Sequence, residues 1–444
     1  MRNRFILKPL LRTLFAAGLV FTAVQGFAAA SGDSGREVAS WCAGRCDRVI
    51  TDWSLTAYQV IKAGDGYVDP MAASRSLAMV HLAMHDAVNT ARPRYQRYAL
   101  TSATGRPADA AVAASSAAHE VLVALYPKAE AVAITRAQLE RTLLEAGTGA
   151  DIAAGAQLGK EAAAAVLAKR AGDGAEKKEA YLQGTRPGDY RFTPPFDFSA
   201  APHWRFVTPF ALTSVSQFRT APQPALDSEA YRRAFDEVKR VGGKTSAQRS
   251  ADETHYAVFW YEFSDIGWNR VARAASAQVK QDLWERARTF ALLNMAMADA
   301  YIAGWDSKYH HNFWRPVTAI QLAGQDGNPR TAPDTAFETL LPTPPVPDMP
   351  STHSALGMAA ATVLARSFGS DQVQISFAST SAMPDNAVRS FKRFSDAARE
   401  NGDSRVKAGL HFRFAVDAGL LLGQQIGSFT FSNSLQPHNG KANF

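Results

Sequence analysis

Residues 108–172 read ADAAVAASSAAHEVLVALYPKAEAVAITRAQLERTLLEAGTGADIAAGAQLGKEAAAAVLAKRAG. Strong helix formers (Ala, Leu, Glu, Arg) fill this stretch, and the pattern breaks at Tyr126-Pro127 and Gly147-Thr148-Gly149. It therefore predicts three successive helices of ordinary length. A further helix is expected from Asp282 to Trp305, where Leu283, Ala287, Phe290, Ala291, Met297, Tyr301 and Ile302 recur largely at three- and four-residue intervals. No sustained run alternates Val, Ile, Thr or aromatic residues with polar ones, so no sheet is expected. The expected fold class is all-α, helical bundles joined by long loops.

Two stretches cannot be helical. Residues 183–212 interleave Pro187, Pro194, Pro195, Pro202 and Pro209 with aromatic residues, and residues 342–350 hold Pro342, Pro344, Pro345, Pro347 and Pro350. Such long loops in a compact helical protein are packed lids or binding loops, or, for the first, equally a wrap over the bundle. A soft division is expected near residue 300, between a helical region (31–300) and a region carrying the chemistry (301–444).

The composition, 46% hydrophobic and 20% charged over 444 residues, is that of a globular protein and excludes a disordered or fibrous chain. The net charge of +7 does not point to nucleic acid: four of the 48 basic residues (Arg2, Arg4, Lys8, Arg12) lie in the first twelve positions, leaving 44 against 41 acidic ones. Those four belong to a basic stretch followed by an apolar run, Thr13 to Phe27, and by Ala28-Ala29-Ala30. The pattern predicts a secretory signal over residues 1–30, the alternative being an uncleaved anchor; the run is shorter than the ~20 residues that a bilayer requires. The mature chain is then exported, periplasmic or secreted, without integral membrane association. Its two cysteines, Cys42 and Cys46, are expected to close a small disulfide loop.

Three short blocks carry chemistry: Lys308-Tyr309-His310-His311-Asn312-Phe313-Trp314-Arg315-Pro316, Pro350-Ser351-Thr352-His353-Ser354, and Ser404-Arg405-Val406-Lys407-Ala408-Gly409-Leu410-His411. Each is weak alone; together and in this order they are specific. Lys308, Arg315 and Arg405 cannot share a buried centre without an anion. Ser351 adds a hydroxyl, and a helix starting near His353 adds main-chain N–H groups. These groups outline a cage for a tetrahedral oxyanion, and two histidines supply an attacking or coordinating nitrogen and a proton donor. His81 and His85 share a helix face, but no zincin motif accompanies them, and core packing is the favoured reading over metal ligation.

The blocks resemble the signature of the vanadium haloperoxidase and type 2 phosphatidic acid phosphatase superfamily: Lys-x6-Arg-Pro, then Pro-Ser-Gly-His, then Ser-Arg-x5-His with an Asp four residues later. Flanking stretches, Val80 to Asn89 and His411-Phe412-Arg413-Phe414, are similar to bacterial haloperoxidase-like proteins. The resemblance implies a helical-bundle fold in which Lys308, Arg315, Ser351, Arg405 and the Thr352 N–H hold the oxygens of vanadate or phosphate. It makes His411 the axial vanadium ligand, or the nucleophile of a phosphatase, and His353 the opposite acid–base group. Asp299 is expected to partner a cage cation or to lie on a helix surface, and Trp305 to pack beside the site or in the core.

Three positions depart from the pattern. Thr352 stands in place of Gly, Val346 stands where haloperoxidases carry Phe or His, and Ala415 replaces the Asp. Asp417 would face another side of the helix and cannot stand in for that Asp, so phosphatase chemistry is expected to suffer more than vanadate coordination. The reading favoured is an exported haloperoxidase in which vanadate activates hydrogen peroxide to oxidise halide. The alternatives are a phosphomonoesterase with a phosphohistidine and no cofactor, and an oxyanion-binding protein whose catalysis has decayed. Its partners are small molecules, peroxide and halide or a phosphate ester; the sequence leaves the oligomeric state open.

Overall fold

An aspartate cap and a first-turn proline start the helix Pro70–Ala91: Asp69 accepts from the N–H groups of Met71 and Ala72, and Pro70 loses nothing by lacking a donor there. The computed structural model describes residues 44–101 and 107–438, all within one unit, Cys42–Phe444. The expected signal segment and Cys42 lie outside the described residues. Cys46 is disulfide-bonded, and the chain's other cysteine is Cys42.

Thirteen α-helices make up the described part. The stretch 108–172 forms Ala110–Leu125, Ala129–Ala146 and Ala150–Arg170, broken at the proline and at the glycine pair as expected. The helix expected from Asp282 runs further, from Leu283 to His311. It opens on a reciprocal cap between Asp282 and Glu285 and stops where Asn312 turns left-handed (φ 51°). This helix is buried around most of its circumference, because it packs on Pro70–Ala91 on one side and on Thr352–Ser367 on another. It crosses position 300 without a break. Helix Thr352–Ser367 in turn packs against Phe394–Lys407 and Arg413–Asn433.

One small sheet exists despite the expectation of none. Gln372–Ala378 and Val388–Arg393 pair antiparallel, with Ile375, Phe377 and Phe391 inward. These strands are too short for their alternation to stand out from the helical background. Among the described residues, no helix is long and apolar enough to cross a membrane.

Both proline-rich stretches are held in place. Arg170, buried, donates to the carbonyls of Thr208 and Pro209 and lies over the Phe210 ring. The Asp299 carboxylate accepts the next three N–H groups, from Phe210, Ala211 and Leu212. Asp299 is therefore neither a partner of a cage cation nor a surface carboxylate. It lies in the core because three aligned donors replace its water. His81 and His85 are core residues as well, the first against the Phe290 ring and the second with its Nε2 3.0 Å from the Gln96 carbonyl.

Candidate oxyanion site

The fold brings the three blocks to one place. Lys308 is in the last turn of Leu283–His311, and Arg315 caps the short helix Pro316–Gln321. Ser351 caps Thr352–Ser367, and Arg405 is in the last turn of Phe394–Lys407. His411 sits in the link to Arg413–Asn433. Arg315, Thr352, His353, Arg405 and His411 line one cavity of 540 Å³, whose other walls are largely apolar and include Phe196, Phe198 and Phe263. Trp305 lines it too, held by an Nε1–H bond to the Ala200 carbonyl (3.2 Å). Lys308 and Ser351 are fully buried and outside that lining.

The three cations are not equivalent. Arg315 spends three of its five donors on the carbonyls of Val346 (2.7 Å), Leu410 (2.8 Å) and Pro344 (3.3 Å). Lys308 gives two donors to the carbonyls of Pro347 (2.7 Å) and Asp348 (3.0 Å). Arg405 instead packs over the Tyr261 ring and buries its Nε and Nη1 with no hydrogen-bond partner among the described residues. Burial brings Arg405 down to about 10, against the nearby Tyr261 hydroxyl and with the Arg315 charge adding. Lys308 falls well below the usual lysine range, from burial first and then from Arg315.

Main-chain donors complete the arrangement. The Ser351 Oγ accepts from Ser354, from its hydroxyl at 2.9 Å, so the Ser351 hydroxyl hydrogen is free to donate. The first N–H groups of helix Thr352–Ser367 have no acceptor within the helix. Orphaned guanidinium donors and a helix N-terminus in one cavity, with the Ser351 hydroxyl hydrogen buried at that helix start, fit a tetrahedral oxyanion. Thr352 keeps the main-chain donor that the pattern's glycine would supply.

The two histidines differ in what holds them. His353 Nε2 lies 3.0 Å from the Glu262 carbonyl, which can only accept, so Nε2 carries the proton and Nδ1 is left bare. Glu262 is itself fixed by Arg270 and by Thr380, which follows the first strand. The small hairpin thus steadies the carbonyl that orients His353. His411 lies beside Arg315, whose Nη1 is 3.0 Å from Nε2, and beside Asp348, whose Oδ1 is 2.9 Å from Nδ1. Burial, with Arg405 next for His353 and Arg315 next for His411, pushes both rings well below the usual histidine range.

Asp348 is the residue that sequence reasoning missed. It is fully buried, raised to about 7 by burial and opposed by Arg315 and Lys308. The signal was a lone carboxylate in an otherwise apolar Val-Pro-Asp-Met-Pro run directly before Ser351. Ala415 has a main-chain role, its carbonyl accepting the Ser351 N–H (2.8 Å), while Asp417 is exposed. The expectation that His411 lacks a neighbouring carboxylate is therefore corrected: one is present, from another segment.

Residues 288–440 match the family described as the VCPO second helical-bundle domain. Vanadium chloroperoxidase of Curvularia inaequalis is 28% identical, the match covering 66% of this chain. The chain spans 60% of that relative's length. The crystal structure of a bacterial vanadium-dependent iodoperoxidase superposes with a TM-score of 0.77 at 25% identity, over 89% of this chain and 98% of that one. That of the holo form of a bacterial vanadium-dependent chloroperoxidase gives 0.64 at 17% identity, over 82% and 92%, a likeness of fold.

Proposed function

The chain belongs to the vanadium haloperoxidase superfamily, and from that premise we propose that it is a vanadate-dependent haloperoxidase that oxidises halide with hydrogen peroxide. The observation that carries the proposal is Arg405, whose Nε and Nη1 are buried without a hydrogen-bond partner among the described residues, at a cavity shared with His353 and His411. Arg405, the third donor of Lys308, Arg315, the Ser351 hydroxyl and the Thr352 N–H would hold the vanadate oxygens, and His411 Nε2 the metal. Bound vanadate supplies a Lewis acid that polarises hydrogen peroxide towards attack by halide.

The chain's own groups do the rest. His353, held at Nε2 by the Glu262 carbonyl, has Nδ1 to take and return a proton at the cage. The apolar walls keep water away and strengthen each charge-assisted contact. Export belongs to the same proposal: the bonded Cys46 suits an oxidising compartment, and the N-terminal pattern suits a signal.

One observation favours a second reading, a phosphomonoesterase. A nucleophilic histidine needs a carboxylate behind it, and Asp348 stands there. In that reaction His411 Nε2 bonds to phosphorus as the P–O ester bond breaks, the leaving oxygen takes a proton that His353 Nδ1 has first picked up from the substrate or solvent, and water then releases phosphate. The two readings separate in one experiment, the parallel assay of halide oxidation and phosphate release before and after vanadate loading. Halide oxidation that appears only on loading is expected. Brisk phosphate release with no halide oxidation after loading would reverse the order of the readings.

A further inference from the structure

We propose that Asp348 is the positioning residue of His411, supplying from the loop ahead of Pro350 the carboxylate that the sequence pattern places four residues after the histidine. The proposal rests on the cage being an oxyanion site with His411 as its ring-nitrogen group. Asp348 Oδ1 is 2.9 Å from His411 Nδ1, while Arg315 Nη1 is 3.0 Å from Nε2 and 3.3 Å from Nδ1. A guanidinium only donates and a carboxylate only accepts, so the shorter contacts put the ring proton on Nδ1, towards Asp348, and the lone pair on Nε2, towards Arg315. That tautomer carries its lone pair on Nε2, the nitrogen that the cage would use in place of the Arg315 contact.

The main chain of Asp348 is fixed from both sides by residues of the first block. The Asp348 N–H donates to the Phe313 carbonyl (2.9 Å), and the Asp348 carbonyl accepts from Lys308 Nζ (3.0 Å). Neither carboxylate oxygen has a well-aligned donor from another side chain, so the contact with Nδ1 is short but imperfectly directed. Such contacts tighten when the reacting group arrives. The Ala415 side chain has nothing to offer the ring, and its carbonyl is taken by Ser351.

A second role for Asp348, mere counter-charge for Lys308 and Arg315, predicts the opposite result in one titration. We would measure vanadate and inorganic phosphate binding by calorimetry on the wild type and on Asp348→Asn. Vanadate affinity is expected to fall about 10- to 100-fold, as when a group behind a metal-binding histidine is lost. Phosphate, bound by the cage without a bond to the ring, should hold its affinity or gain. An equal change for both anions, in either direction, overturns the proposal. The ring itself gives a second test, on the unaltered protein without vanadate: ¹⁵N histidine spectra, with His411 assigned by its loss in His411→Ala. A proton on Nδ1 supports the assignment and a proton on Nε2 overturns it. Failure of vanadate to bind the wild type would sink the cage reading instead, and the ring spectrum would still decide the role of Asp348.

Discussion

Gly419 lies so close to Ser351 that a Cβ added to it would sit 2.5 Å from the Ser351 carbonyl oxygen and 2.8 Å from the Ser354 Cβ. One turn on, a Cβ on Gly423 would press on the Ala355 carbonyl in the same way. The helices Thr352–Ser367 and Arg413–Asn433 therefore meet backbone to backbone. That contact joins the second block to the helix that follows the third, since the Ala415 carbonyl takes the Ser351 N–H.

Gly419→Ala should therefore disturb both fold and site. The clash is with main chain, which cannot swing aside, and overpacking of this kind costs about 1–3 kcal/mol. The expected result is a lower midpoint in thermal melting together with weaker vanadate binding. Gly304→Ala is the control, because a Cβ there meets nothing within 4 Å. It should be neutral or stabilising by up to about 1 kcal/mol, from helix propensity. Equal behaviour of the two variants would refute the close-packing argument.

Arg405→Ala and Arg315→Ala should part company. Removing unpartnered Arg405 donors should weaken oxyanion binding by about 1.5–3 kcal/mol per contact while leaving the melting midpoint unchanged or raised. Removing Arg315 strands the carbonyls of Val346, Leu410 and Pro344, so the fold itself should weaken. Calorimetry with vanadate and a thermal melt on each variant check this. Unchanged vanadate affinity in Arg405→Ala would refute the site.

The contrast between those arginines marks what the sequence could and could not show. Helix positions followed from local signals that act within a few residues: Pro127, the Gly147–Gly149 pair and Asp282 all behaved as punctuation. The three blocks were legible as a group because their spacing is shared with a known pattern. Their partners were not. Which carbonyls Arg315 satisfies, and that Asp299 serves Phe210 to Leu212 and not a cation, depend on loops that fold back over the bundle. Asp348 was hidden for the same reason: its meaning comes from proximity to His411, 63 residues away in sequence.

His353→Ala should separate binding from turnover. With Nε2 committed to the Glu262 carbonyl, the ring contributes a proton-trading Nδ1 and no covalent hold on the oxyanion. Vanadate affinity should stay within a few-fold of the wild type, whereas turnover should drop about 10²–10⁴-fold, the usual loss for a general acid or base. His411→Ala should lose vanadate binding itself. Identical behaviour of the two variants in calorimetry and in halide oxidation would contradict the division of roles.

His81 makes the fold acid-sensitive in a way that can be isolated. Burial, with the Arg273 charge adding, brings this ring down to about 3, and neither nitrogen has a hydrogen-bond partner among the described residues. An unfolded histidine titrates near ~6.5, so above that pH both states are neutral and His81 contributes no pH dependence. Below it the unfolded chain takes up a proton that the folded chain refuses until about 3, and stability is lost across that window. The buried carboxylates act in the opposite sense: burial raises Asp299 to about 6 and Asp265 and Asp348 to about 7, so the folded state holds their protons first and gains as pH falls from 7. The two effects mask each other in the wild type but cancel in a comparison with His81→Leu, which keeps every carboxylate. By pH 5, about 1.5 pH units below the unfolded value, the variant should have gained about 2 kcal/mol on the wild type relative to their difference at pH 7. Urea denaturation at the two pH values measures this, and a difference that does not change with pH would mean that the His81 ring charges inside the fold.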